Sequence, residues 1–263
     1  MLFQIKSYLI FLWHSKNEHG VHSPFVFHLL TKCFYDKKVK PVDTILENYR
    51  NSLLANNDTI EVTDFGAGSR VFKSNTRSIS KIAKTAGISS KRAALLYRIV
   101  HYLQPESILE IGTSLGMATA ALFLGSQNLK TKVKVITLEG CPETVRQAQN
   151  QFKQFGFTTI NSIKTEFSSY FNSLQFSGFN FGLIYFDGNH SKKATLEYFE
   201  LLLSTVSNDT VWIFDDIHWS QEMEEAWEII KSHPQVTVTI DTFQWGLVFF
   251  RREQPKEHFV IRV

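Results

Sequence analysis

Cysteine is nearly absent: Cys33 and Cys141 are the only two in 263 residues. Two are too few for a disulfide framework, so nothing here asks for an oxidising compartment. Strong charge of either sign is lacking as well. The 28 basic and 25 acidic residues leave a net charge of +3, too small to argue for a nucleic-acid partner or an anionic membrane surface. No apolar run is long enough to span a bilayer. Met1–Trp13 comes nearest, but it is short, Lys6 interrupts it and no small-residue cleavage pattern follows. It reads as an amphipathic helix docked on the protein or on a second subunit. Internal repeats and low-complexity segments are missing too. What is left is an ordinary globular composition, long enough for one large domain or a domain with an appendage.

The most informative stretch is Ser107-Ile108-Leu109-Glu110-Ile111-Gly112-Thr113-Ser114-Leu115-Gly116-Met117-Ala118-Thr119. An apolar run carries an acidic residue near its end, two glycines stand four apart, and an Ala-rich apolar segment follows. That order predicts a buried strand, a tight turn and the start of a helix. Gly112 can take a backbone conformation closed to other residues, and Gly116 lets a ligand or a strand approach the helix closely. The helix start leaves backbone N–H groups free for a carboxylate or phosphate. Dinucleotide sites use G-x-G-x-x-G, whereas the spacing here is Glu-x-Gly-x-x-x-Gly. It resembles motif I of class I S-adenosylmethionine (SAM)-dependent methyltransferases, whose loop wraps the methionine part of the cofactor. The resemblance implies cofactor contacts from Glu110, Gly112, Thr113, Ser114, Gly116 and Thr119.

Upstream, residues 1–60 read as helical and irregular. His14, His19, His22 and His28 lack a His-x-x-x-His pair and have no cysteine or carboxylate partner pattern, which favours capping, packing or substrate-facing roles over a metal site. Ser23 and Pro24 have the form of a helix start. Asp64-Phe65-Gly66-Ala67-Gly68-Ser69 is a second Gly-rich turn, but Arg70 to Lys84 after it is basic and polar rather than a buried helix. It reads as a surface loop able to close over a site, with Arg70, Lys73, Arg77, Lys81 and Lys84 facing solvent or an anionic substrate.

Ser89 or Ser90 caps a helix over Lys91–Leu103, with Ala94, Leu95, Ile99, Val100 and Leu103 as its apolar stripe, and Pro105 follows. Strands at Val133–Leu138, Thr158–Ile163, Phe181–Phe186 and Val211–Phe214 then alternate with helices at Pro142–Phe155, Lys192–Val206 and Ser220–Ser232. Val236–Ile240 and Leu247–Phe250 form a closing antiparallel pair. This rhythm predicts an α/β fold with a doubly wound, mainly parallel sheet and ligands at the carboxyl ends of its strands. The reversed pair resembles the seven-stranded sheet of class I methyltransferases. The expected division is a helical N-terminal extension over 1–89, supplying lid, substrate or oligomer contacts, and a SAM-binding domain over 90–263.

Polar residues stand at three strand ends. Glu139 can accept hydrogen bonds from both ribose hydroxyls of a nucleoside. Asp187 ends the run Tyr185-Phe186-Asp187-Gly188-Asn189-His190, and Asp215 and Asp216 end Ile213-Phe214-Asp215-Asp216-Ile217-His218-Trp219. Adjacent carboxylates repel and ask for a compensating cation, unless they cap the helices that follow. Oxygen ligands alone suit Mg²⁺, Ca²⁺ or Mn²⁺. The pattern resembles the metal-dependent catechol and caffeoyl-CoA type of O-methyltransferase. By position it implies Asp187, Asp215 and Asp216 as metal ligands and Asp187 as a cofactor contact. It also puts His190 where that family has a catalytic lysine, and a histidine there can take a hydroxyl proton. Thr165 and Glu166 are candidate adenine contacts, and His218 and Trp219 candidate walls of the acceptor pocket.

The expected function is SAM-dependent O-methylation of a small molecule, assisted by a divalent cation. The alternatives are a metal-independent methyltransferase on another acceptor, a non-catalytic SAM-binding protein, and a nicotinamide dehydrogenase disfavoured by the glycine spacing. A cytoplasmic enzyme without nucleic-acid partner or membrane insertion is expected, with a homodimer left open.

Overall fold

The computed structural model describes residues 2–63, 74–127, 129, 131–174 and 179–263. Along the chain come α1 (Leu2–His14), α2 (Pro24–Leu29), α3 (Pro41–Ala55), the short strands β1 (Thr59–Glu61) and β2 (Thr76–Ser78), α4 (Ile79–Thr85) and α5 (Ser90–Leu103). There follow β3 (Ser107–Ile111), α6 (Met117–Ser126), β4 (Lys134–Glu139), α7 (Pro142–Gln154), β5 (Ile160–Lys164), α8 (Phe167–Leu174) and β6 (Leu183–Phe186). Then α9 (Lys192–Leu202), β7 (Val211–Asp215), α10 (Gln221–Ser232), β8 (Val238–Asp241), β9 (Trp245–Phe249) and β10 (Glu257–Val260) complete the order.

β3 to β10 form one sheet in the order β10-β8-β9-β7-β6-β3-β4-β5. β3 pairs in parallel with both β4 and β6, so the strand order reverses at β3 and opens a crevice at its carboxyl end. β9 runs antiparallel between β7 and β8, the reversed pair expected from the sequence. The seven expected strands are present. An eighth, β10, adds in parallel to β8 at the edge; its sequence Glu-His-Phe-Val buries only Phe259, too weak an alternation to stand out. β1 and β2 form a separate antiparallel pair.

β3, β6, β7, β8 and β9 are buried along their whole length, which explains their nearly continuous apolar sequences. One face of the sheet packs on α5, α6 and α7, the other on α8, α9 and α10. The α5 stripe is rotated from expectation: Ala93, Leu95, Leu96, Ile99 and Val100 are buried, while Ala94 and Leu103 are only partly covered. The first-face core also takes in Leu29, Leu30, Leu46, Tyr49, Leu53, Ile79 and Ile82 from the N-terminal region.

Ser23 caps α2 by accepting from the Val26 N–H, with Pro24 in the first turn as read from the sequence. α1 buries Ser7 and Phe11, and leaves Leu2, Ile5, Leu9 and Trp13 exposed. Among the described residues, no helix is long and apolar enough to cross a membrane. The Gly-rich turn at 64–69, with Arg70 and Lys73, lies outside the described residues.

Candidate active site

The β3–α6 turn is built by backbone geometry. Gly112 has φ +99°, and a Cβ there would stand 2.4 Å from the Asp187 carbonyl oxygen. Only glycine lets the tips of β3 and β6 approach this closely. The N–H groups of Gly112 and Thr113 both donate to the Leu138 carbonyl, at 3.0 and 3.1 Å. Gly116 is crowded too: a Cβ would meet the Phe152 ring and the Tyr49 hydroxyl. Tyr49, from α3 and fully buried, donates its hydroxyl proton to the Leu115 carbonyl at 2.9 Å. The N-terminal region therefore braces the turn directly.

Glu139, at the end of β4, accepts from the Ser114 N–H at 2.9 Å with one oxygen and from the Cys141 N–H at 3.0 Å with the other. Beside the turn lies a narrow cleft lined by Ala83, Gly87, Ile88, Thr113, Met117 and Asp187 among others. The first intrahelical bond of α6 runs from the Ala120 N–H to the Gly116 carbonyl, so the N–H groups of its opening turn remain for a ligand.

Two residues expected at the cofactor are sealed instead. Glu110 and Thr119 both have zero exposure. The hydroxyls of Thr119 and Thr137 donate to one Glu110 oxygen, while its other oxygen is buried without a partner. Burial pushes this carboxyl up to about 8, and the two hydroxyl bonds only partly counter it. Glu110 and Thr119 thus fasten β3 and β4 to α6 behind the turn. Thr165 is half-buried and Glu166 exposed at the rim after β5, where the Thr165 N–H donates to the Glu139 carbonyl.

The acids at the ends of β6 and β7 are organised differently from a ligand set. Asp215 is 4 % exposed and fully engaged. Its Oδ1 accepts from the Arg92 guanidinium and from the Asp216 N–H, and its Oδ2 from the Tyr185 hydroxyl at 3.1 Å. Arg92 reaches across from the first turn of α5 and lies over the Trp245 ring, 5.0 Å from its centroid. Trp245 also meets Tyr185 edge-on. Burial works against the guanidinium's charge, but Asp215, with Tyr185, Asp187 and Asp216 behind it, holds its pKa above the ordinary value.

Asp187 pairs with His190 at 3.5 Å. Burial and then the Asp215 charge push Asp187 up to about 7, and burial with the same neighbour pushes Asp216 to about 6. Burial disfavours a charged His190, but its bond to Asp187 and the surrounding acids raise it to about 9. Asp187, Asp215 and Asp216, expected as ligands of a divalent cation, do stand together at the neighbouring ends of β6 and β7. Among the described residues, no group of three or more His, Cys, Asp or Glu is placed to hold a metal ion, and the charge compensation for Asp215 comes from Arg92.

His218 is not free to line a pocket. Its ring lies between Glu224 (2.6 Å) and Asp241 (2.9 Å) and stacks on Phe243, which packs against Tyr8 and Phe11 of α1. Sequence reading missed Arg92, Tyr185 and Tyr49. Arg92 did leave a signal: a basic residue in the first turn opposes the helix dipole and calls for an acidic partner elsewhere.

A doubly wound sheet whose strand order reverses at a glycine turn, with an antiparallel strand inserted beside β7, defines the class I methyltransferase fold. Comparison with known proteins agrees. Residues 109–217 match the family described as "Methyltransferase domain". A curated relative, the O-methyltransferase hkm8 of Aspergillus hancockii, is 29 % identical over 127 residues, 47 % of this chain and 49 % of that protein. The match thus spans about half the length of that relative. Among solved structures, the SAH-bound methyltransferase PaMTH1 of Podospora anserina superposes with a TM-score of 0.60 at 14 % identity, covering 88 % of this chain and 97 % of that one. The O-methyltransferase TomG of Streptomyces achromogenes, solved with SAM, gives 0.57 at 13 % identity, covering 90 % and 99 %. The chain shares the class I fold of these solved methyltransferases, and residues 109–217 are similar to the methyltransferase-domain family.

Proposed function

We propose that this chain is a SAM-dependent O-methyltransferase acting on a small molecule. The observation that carries the reading is the turn pressed between Leu138 and Asp187, with a glycine that nothing larger can replace and a carboxylate, Glu139, bound to its backbone. These features fit the cofactor. The opening N–H groups of α6 suit its amino-acid carboxylate. Glu139 suits its ribose hydroxyls, with Thr165 and Glu166 at the adenine side, and Thr113, Ser114 and Asp187 line the cleft between. SAM supplies an electrophilic methyl group on a sulfonium: the acceptor oxygen forms the new O–C bond as the C–S bond breaks, and the sulfur keeps the electron pair in S-adenosylhomocysteine. The acidic surplus at the ends of β6 and β7 suits a cofactor that arrives cationic and leaves neutral.

The acceptor's hydroxyl proton goes to the Asp187–His190 pair. The two groups share an ion-pair contact at 3.5 Å, so the pair rather than the imidazole alone is the base. Metal assistance is left out of this reading because, among the described residues, Asp215 is committed to Arg92 and Tyr185. No part of the reaction is assigned to a metal. Residues 1–89 are the part we assign to substrate contacts, since Ala83, Gly87 and Ile88 wall the cleft. The buried free thiols of Cys33 and Cys141 suit a cytoplasmic setting.

Titration calorimetry with S-adenosylhomocysteine tests the reading. One site per chain is expected, with no heat from NADH. Absence of S-adenosylhomocysteine binding, or preference for the dinucleotide, would overturn it.

A further inference from the structure

We propose that Arg92 is the resident cation of this active site, filling the place that a divalent ion would otherwise take. The proposal rests on the methyltransferase reading above and concerns what balances its acids.

Asp215 sits at the tip of β7, next to the tip of β6 that carries Asp187, and it is nearly inaccessible. A carboxylate so buried needs a cation or several donors. It has both: the guanidinium of Arg92, the hydroxyl of Tyr185 and the N–H of Asp216. The guanidinium is itself held in place. Its side chain is 21 % exposed, and its plane is supported by Trp245, which Tyr185 touches edge-on. The two halves of the arrangement come from opposite ends of the domain, α5 before the cofactor turn and β7 and β9 after it. A metal ion bound by Asp215 would have to strip it of this partner and leave a buried guanidinium unpaired, a costly exchange.

Arg92 also has a donor to spare: its Nε–H is buried without an acceptor. An unpaired buried donor asks for an acceptor group. Tyr185 and Trp245 act as positioning residues, since they touch Asp215 and Arg92 rather than the reacting atoms.

Mn²⁺ itself is the probe. It is titrated into the full chain with S-adenosylhomocysteine at saturation, and free Mn²⁺ is read by electron paramagnetic resonance. The wild-type chain is expected to show no stoichiometric site up to about 1 mM, the weak end of biological divalent sites. Arg92→Ala strips the cation from the acid cluster and is expected to bind one Mn²⁺ at least about tenfold more tightly than wild type, a change of about 1.4 kcal/mol. Arg92→Met keeps a side chain against Trp245 and serves if the alanine variant does not fold. One tight Mn²⁺ on the wild-type chain would overturn the proposal, and so would folded variants as indifferent to Mn²⁺ as wild type. A merely structural role for Arg92 would not create a metal site. S-adenosylhomocysteine binding in the same samples reports separately on the methyltransferase assignment.

Discussion

Gly112→Ala is the sharpest perturbation of the turn, and its cost can be worked out. At φ +99° the new residue takes a left-handed conformation worth about 1–2 kcal/mol against an L side chain. Its Cβ would also stand 2.4 Å from the Asp187 oxygen and 2.8 Å from the Asp187 carbonyl carbon. Those are backbone atoms just past the end of the buried strand β6 and not the tip of a flexible side chain, so overpacking adds about 1–3 kcal/mol. The sum, about 2–5 kcal/mol, corresponds to a fall in Tm of about 4–20 °C for a chain near this length. The displacement separates the β3 turn from Asp187, so binding is expected to fall even in molecules that stay folded. Scanning calorimetry and titration with S-adenosylhomocysteine measure the two effects. Gly156→Ala is the control. It has φ +72° with no atom within 4 Å of the added Cβ, so it carries the conformational cost alone and leaves cofactor affinity unchanged. A Gly112→Ala chain that melts with Gly156→Ala and binds within about twofold of wild type, about 0.4 kcal/mol, would refute the packing argument.

Three further outcomes follow from the same contacts. Tyr49→Phe removes the bond to the buried Leu115 carbonyl; a loss of about 1–2 kcal/mol and weaker S-adenosylhomocysteine binding are expected, and unchanged binding would free the turn from its brace. Glu110→Gln tests the sealed acid. Between its ordinary value of 4.5 and about 8, native Glu110 holds a proton that the unfolded chain has released. Its contribution is therefore fully present below about 4.5 and lost as pH rises through about 8. Melting across pH 5–9 should fall less steeply in Glu110→Gln than in wild type, and parallel profiles would place a charged Glu110 in the native state. Finally, a chain starting at Ser90 loses Leu29, Leu46, Tyr49 and Leu53 from the shared core and is expected to lack a cooperative melt; a sharp transition in that fragment would show 90–263 to be self-sufficient.

Much of this molecule was legible before its coordinates. The strands that line the site are buried on both faces, so their apolar runs end visibly where Glu139, Asp187 and Asp215 begin. The β3 turn was equally plain, because Gly112 and Gly116 answer to steric rules that act within a few residues. Partnerships were not legible. The Arg92 contact to Asp215 spans 123 residues, and no local pattern links a first-turn arginine to a strand tip so far away. For the same reason three aspartates suggested a metal, since chain order shows repulsion among acids but not the guanidinium that relieves it. Glu110 and Thr119 were read by their place in a motif, whereas their zero exposure depends on how tightly α6 lies against β3. α8 and β10 escaped because Phe167–Leu174 and Glu257–Val260 are short and half polar, and tertiary packing rather than propensity keeps them in place.

The central claim is that the Gly112–Met117 turn and Glu139 hold a sulfonium nucleoside beside Asp187. A crystal structure of the full chain grown with S-adenosylhomocysteine addresses it most directly. The homocysteine carboxylate is expected on the N–H groups that open α6, the ribose on Glu139 and the sulfur facing Asp187. Density for the nucleoside at any other place, or an empty turn at saturating ligand, would contradict the account.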